Sequence, residues 1–180
     1  MKKTVAVIAF SAVLGTLQGC ATPATTQGMT TTRTVVSQSP LANSISVTEV
    51  GGGKKTNPLW TSQISSEDFD AALKASLKAA GLLSSDKGRY TLTATLVALE
   101  QPMFGMDMTV TSHVMYTLTD TASGKKLLEE TVVAPHTATV GDAFVAIKRL
   151  RLANEGSVRQ NIDNLIAKIE KLKVDGVSVK

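Results

Sequence analysis

Cysteine is all but missing from this chain of 180 residues: Cys20 is the single one. No disulfide can form within the chain, and no thiolate cluster can hold a metal ion. Histidine is nearly as scarce, with only His113 and His136. Two imidazoles without thiols do not make a metal-ligand set, and both read as surface side chains. Aromatic residues make up only 4%, so the core must be aliphatic. A strong excess of one charge is missing too. The formal charge is +4 and includes Lys2 and Lys3; without these two it is +2. Nothing in that balance points to nucleic acid. Long apolar runs are also lacking. The run at Val5–Leu14 is about half of the roughly 20 residues that a membrane-crossing helix needs.

Several catalytic signatures fail on inspection. No serine stands in a G-x-S-x-G turn. Gly51-Gly52-Gly53-Lys54-Lys55-Thr56 has the flavour of a phosphate loop, but Lys55 occupies the place where GxxxxGK[ST] needs a hydroxyl. A flexible loop is expected there. The carboxylates Glu100, Asp107, Glu129, Glu130 and Asp142 are scattered along the chain. No nucleophile, base and orienting group can be picked out, and neither enzymatic activity nor a cofactor is expected.

The N-terminus is where the chain is informative. Lys2 and Lys3 precede the short apolar stretch Val5–Leu14, and Leu17-Gln18-Gly19-Cys20 follows it. This arrangement resembles the lipobox of bacterial lipoproteins. The resemblance implies cleavage before Cys20, a diacylglycerol on its thiol and acylation of its new amine. Two or three chains anchor stably, whereas one is marginal. Ala21, in place of an aspartate, implies by the same resemblance sorting to the outer membrane, with the inner membrane as the alternative. Residues 1–19 are thus read as signal, 20–43 as a lipidated flexible tether rich in Thr, Ser, Gln and Pro, and 44–180 as one periplasmic domain. Val35 and Val36 could instead open an early strand.

Within the domain, alternation and helical spacing predict strand, helix, three strands and helix. Ser44–Val50 reads as the first strand. Ser65 or Ser66 opens a helix with Phe69, Ala72, Leu73, Ser76, Leu77 and Ala80 on its buried face, and Gly81 stops it. In Arg89–Leu99, Tyr90, Leu92, Ala94, Leu96 and Ala98 share a side. In Met108–Thr119, Met108, Val110, Val114, Tyr116 and Leu118 do, opposite a threonine-rich face. Lys126–Ala134 follows, with Pro135 ending regular pairing. A long helix is expected from Gly141-Asp142 to about Leu172, with Phe144, Ile147, Leu150, Val158, Ile162, Leu165, Ile169 and Leu172 as its apolar stripe. Asn154 and Gly156 should weaken it and bend it. Val174–Lys180 reads as a short strand or a tail. The fold class is α+β: a small, largely antiparallel four-stranded sheet with two helices on one face. In element order and lipobox the chain resembles small periplasmic lipoproteins of envelope systems, including transporter-auxiliary ones.

Two surfaces stand out as candidate contacts. Met103, Phe104, Met106 and Met108 give a hairpin connection an unusually apolar character, either as a cap on the core or as an adaptable contact. Lys148, Arg149, Arg151 and Arg159 give the last helix a basic face, suited to solvent, anionic headgroups or an acidic partner. The reading is of a non-enzymatic, membrane-anchored accessory protein in envelope assembly or transport, with an envelope protein as partner. Its alternative is a binding protein for a lipid or apolar small ligand. Self-association through an open sheet edge is a further option.

Overall fold

The computed structural model describes residues 21–34, 39–57 and 61–172. The signal, Cys20, Val35, Val36 and the segment Val174–Lys180 lie outside the described residues. The elements are α1 (Thr26–Met29), β1 (Ile45–Gly51), α2 (Ser66–Ala79), β2 (Tyr90–Glu100), β3 (Met108–Asp120), β4 (Lys126–Ala138) and α3 (Ala146–Glu170). The strands form one sheet in the order β1-β2-β3-β4. β1 runs parallel to β2 across the α2 connection, and β2–β3–β4 is an antiparallel meander. The fold is α+β, as expected, with the short α1 added.

Local chemistry explains the element ends. Ser65 Oγ accepts the Asp68 N–H at 3.0 Å and caps α2. At the other end the Leu82 N–H reaches Leu77 O at 2.9 Å and the Gly81 N–H reaches Lys78 O at 3.0 Å, the paired bonds of a Schellman stop. Phe69, Leu73 and Leu77 of α2 meet Tyr90, Leu92, Tyr116 and Leu118 of the sheet and Val158, Ile162, Leu165 and Ile169 of α3 in one core. A smaller cluster, Met108, Val110, Ala138, Leu150 and Ala153, closes the end where β3 begins and β4 finishes.

Several expectations change in three dimensions. Ala21–Asn43 is not a free tether over its described residues. Ala21, Ala24, Met29, Thr31 and Leu41 are buried, because the edge of the α2–α3 pair leaves apolar surface that this segment covers. The glycine run after β1 is packed rather than loose. Gly52 adopts φ +80°, and a Cβ there would collide with Leu96 O. A bulge between Leu96 and Ala98 shifts the register, so Leu99 packs against the core in the place expected for Ala98. Pairing runs on through Pro135, which stands opposite Thr111. β4 is an edge strand, where a missing N–H is tolerated. α3 starts at Ala146, later than expected, and Phe144 is 91% exposed. α3 then continues through Asn154 and Gly156 without interruption. No described helix is long and apolar enough to cross a membrane.

Candidate functional site

The end of the molecule at which the described chain begins is built around Ser62. Its hydroxyl donates to Thr22 O at 2.8 Å. Its carbonyl accepts from Gln101 Nε2 at 2.9 Å and from Asn154 Nδ2 at 3.0 Å. Gln101 Nε2 also donates to Asn154 Oδ1 at 2.7 Å. The entry segment, the residue that follows β2 and the third turn of α3 are therefore joined through one buried serine. Buried polar groups persist only when paired in this way.

The next residue of α3 after Asn154, a carboxylate, holds the same segment at Thr25. Glu155 is 5% exposed. Its Oε1 accepts the Thr25 N–H at 2.8 Å and the Thr25 hydroxyl at 2.9 Å, and lies 3.7 Å from Arg151 Nε. Arg151 Nη1 donates to Thr22 Oγ1 at 3.2 Å, and Arg159 Nη1 to Gly28 O at 2.8 Å. Sequence reasoning does not single out Ser62, and it takes Glu155 only as an i,i+4 partner of Arg151 and Arg159 on the helix surface. It does single out Asn154, as a polar residue on an apolar stripe, and that signal marked the site.

The basic face expected on α3 is thus mostly committed to the protein itself. Arg149 is only 6% exposed and donates from Nη1 to Ala143 O at 2.8 Å and Phe144 O at 2.7 Å. Arg151 and Arg159 hold the entry segment. Lys148 is exposed. The packing of 21–34 along α3 brings a hydroxyl to Arg151 and a backbone carbonyl to Arg159, while Arg149 turns back to carbonyls of the connection before its own helix.

The methionine-rich connection divides. Met103, Phe104 and Met106 are 95%, 87% and 77% exposed, so they do not cap the core. Met108 does not belong with them: it is 6% exposed and sits in the smaller cluster beside Leu150. Because β3 and β4 are antiparallel, Met108 pairs with Ala138. The connection after β4 therefore emerges at the same end, and it carries exposed Val140, Phe144 and Val145.

The remaining titratable groups are scattered or spoken for. His113 Nε2 lies 3.2 Å from Glu100 Oε1, outside hydrogen-bond alignment. His136 is no free surface group. It faces α3, and its ring fills the space that a side chain on Gly156 would need. Burial pushes its pKa down, as does Arg159, against a smaller upward pull from Asp142. Burial raises the Tyr116 phenol far above its usual range, so it stays neutral. Glu129 pairs with Lys126, and Glu130 with Lys168 at 2.8 Å. Asp142 Oδ2 accepts the Thr139 N–H at 2.7 Å. Among the described residues no three His, Cys, Asp or Glu side chains are placed to hold a metal ion. An open groove of about 460 Å³ runs between β4 and α3, lined by Glu130, Val132, Asn164 and Lys168.

No family model matches the chain, and no curated protein does. Solved structures do resemble it. A Xanthomonas campestris protein of the DUF330 family has a TM-score of 0.57 at 11% identity, covering 78% of this chain and 92% of that one. A hypothetical protein from Chlamydia trachomatis has a TM-score of 0.51 at 10% identity, covering 73% and 97%. A minor lipoprotein from Acinetobacter baumannii has a TM-score of 0.46 at 14% identity, covering 73% and 93%. The first two share the fold of this chain.

Proposed function

We propose that the chain is a membrane-anchored lipoprotein of the bacterial envelope, acylated on Cys20, acting as a non-enzymatic accessory protein in assembly or transport. The observation that carries the reading is Leu17-Gln18-Gly19-Cys20 behind a charged, then apolar, leader. Ala21, the residue after Cys20 in sequence, is 4% exposed and so already packs on the domain. Ala21 in place of an aspartate favours the outer membrane, with the domain facing the periplasm.

A partner protein fits the surface better than an enclosed apolar ligand does. The space between sheet and helices is filled by side chains such as Phe69, Leu73 and Tyr116, each 0% exposed. The groove beside β4 is open and lined largely by polar groups. The threonine-rich face of β2 and β3, half-exposed at Thr91, Thr93, Thr117 and Thr119, faces away from α2 and α3. The test is Cys20→Ser in the native host, followed by membrane fractionation and mass measurement. The wild-type protein should be cleaved, carry acyl chains and sediment with membranes, whereas the variant should lack the acyl mass. An acylated, mature variant would overturn the reading.

A further inference from the structure

We propose that the connections Gln101–Asp107 and Thr139–Val145 form an apolar tip that enters the headgroup region of the bilayer, beside the lipid on Cys20. The domain then stands on the membrane by that end rather than swinging on a leash. This inference rests on the acylation reading above.

Three observations carry it. First, most large apolar side chains exposed among the described residues collect in these two connections: Met103, Phe104, Met106, Val140, Phe144 and Val145. Exposed apolar residues scattered singly need no explanation, but a concentration at one end of a molecule does. Second, the two connections are fixed side by side. Met108 pairs with Ala138, and Met108 and Leu150 pack in one cluster, so the tip stands on a rigid base.

Third, the anchor is at the same end. Thr22 is bonded to Ser62, and Ser62 to Gln101, the residue that opens the first connection. Thr22 is also bonded to Arg151 in the second turn of α3. Cys20 is two residues before Thr22, so its Cα can lie at most about 7 Å away. The acylated glycerol is therefore held close to the base of the tip. The headgroup layer on each side of the hydrocarbon is roughly 5–7 Å deep. An anchor held this short keeps the bilayer surface near the base of the tip, which favours lipid as what covers it. Amphipathic surfaces enter that layer by burying apolar side chains among headgroups and upper acyl carbons. Lys148 is exposed near the tip, but so are Asp107 and Asp142, so the contact is apolar rather than electrostatic.

The test uses the mature acylated protein, reconstituted into phosphatidylethanolamine–phosphatidylglycerol vesicles with and without lipids brominated on the acyl chain. With the Cys20 thiol in thioether linkage, an added cysteine is the one free thiol. An environment-sensitive fluorophore goes on Phe104→Cys, on Phe144→Cys and on Ser123→Cys. Ser123 is exposed in the β3–β4 turn at the opposite end of the sheet. All three positions are exposed, and circular dichroism confirms that the fold is kept. The proposal expects brominated lipid to quench the probes at 104 and 144 but leave the one at 123 unquenched. A protein that floats with the vesicles while none of the probes is quenched overturns the tip contact and leaves acylation standing. Quenching at all three positions overturns the orientation. A blue shift at 104 without quenching overturns the proposal in favour of a second copy covering the tip. A protein that carries no acyl mass and does not float overturns both readings.

Discussion

Gly156 stands in the middle of α3, where intrinsic preference favours alanine by about 1 kcal/mol. The structure reverses that sign. A Cβ at Gly156 would run into the ring of His136, so helix and edge strand approach each other only because the side chain is missing. Gly156→Ala is expected to lower stability by about 1–3 kcal/mol through overpacking, as measured by urea unfolding. A gain in stability would show that α3 and β4 do not meet this closely. His136 itself makes stability depend on pH. Its pKa is lowered in the folded protein, so the unfolded chain binds more protons as pH falls below the ordinary value of about 6.5. The contribution is fully present above that value and is lost as pH drops toward the folded pKa. Melts taken between neutral and mildly acidic pH should show a smaller acid loss for His136→Gln than for the wild type.

At the scale of elements, the segment before β1 behaves as part of the domain. Met29 and Leu41 are 0% exposed, and Arg33 bridges Asp163 at 3.3 Å and Glu170 at 2.9 Å on α3. Met29→Ala is expected to cost about 2–5 kcal/mol in urea unfolding, the range for emptying a buried methionine site. Arg33→Ala should cost far less, because its ion pairs are partly exposed to solvent. A chain shortened to start at Asn43 should be less stable than one starting at Ala21. Equal melting temperatures for the two would return this segment to the status of a tether.

For the whole molecule, the consequence is orientation. The folded body, its entry segment and its apolar tip converge on one end, and the β3–β4 turn points the other way. The formal charge without Lys2 and Lys3 is only +2. Attachment should therefore withstand salt that screens charges over a few ångström. In flotation assays, washing vesicles with molar sodium chloride should leave the acylated protein bound. Release by salt would mean that basic side chains, rather than acyl chains and apolar residues, hold it.

The sequence by itself determined the order of strands and helices, the caps of α2 and most of the core. Those depend on neighbours within a turn or two, which periodicity reports directly. The string that ends in Cys20, on which the proposed acylation rests, is likewise linear and legible without a fold. Only the tertiary structure decided the rest. Polar, threonine-rich composition made Ala21–Asn43 look like a leash, yet Ala24, Met29 and Leu41 were enough to bind it to a surface that α2 and α3 create together. Charge spacing made Arg149, Arg151 and Arg159 look like a solvent face, yet their hydrogen-bond acceptors come from distant parts of the chain or from the connection before α3. The exposure of Met103, Phe104 and Met106, and their company with Phe144 and Val145, depended on an antiparallel pairing of β3 with β4. Such contacts arise between residues far apart in sequence, and no local pattern encodes which partner will be there.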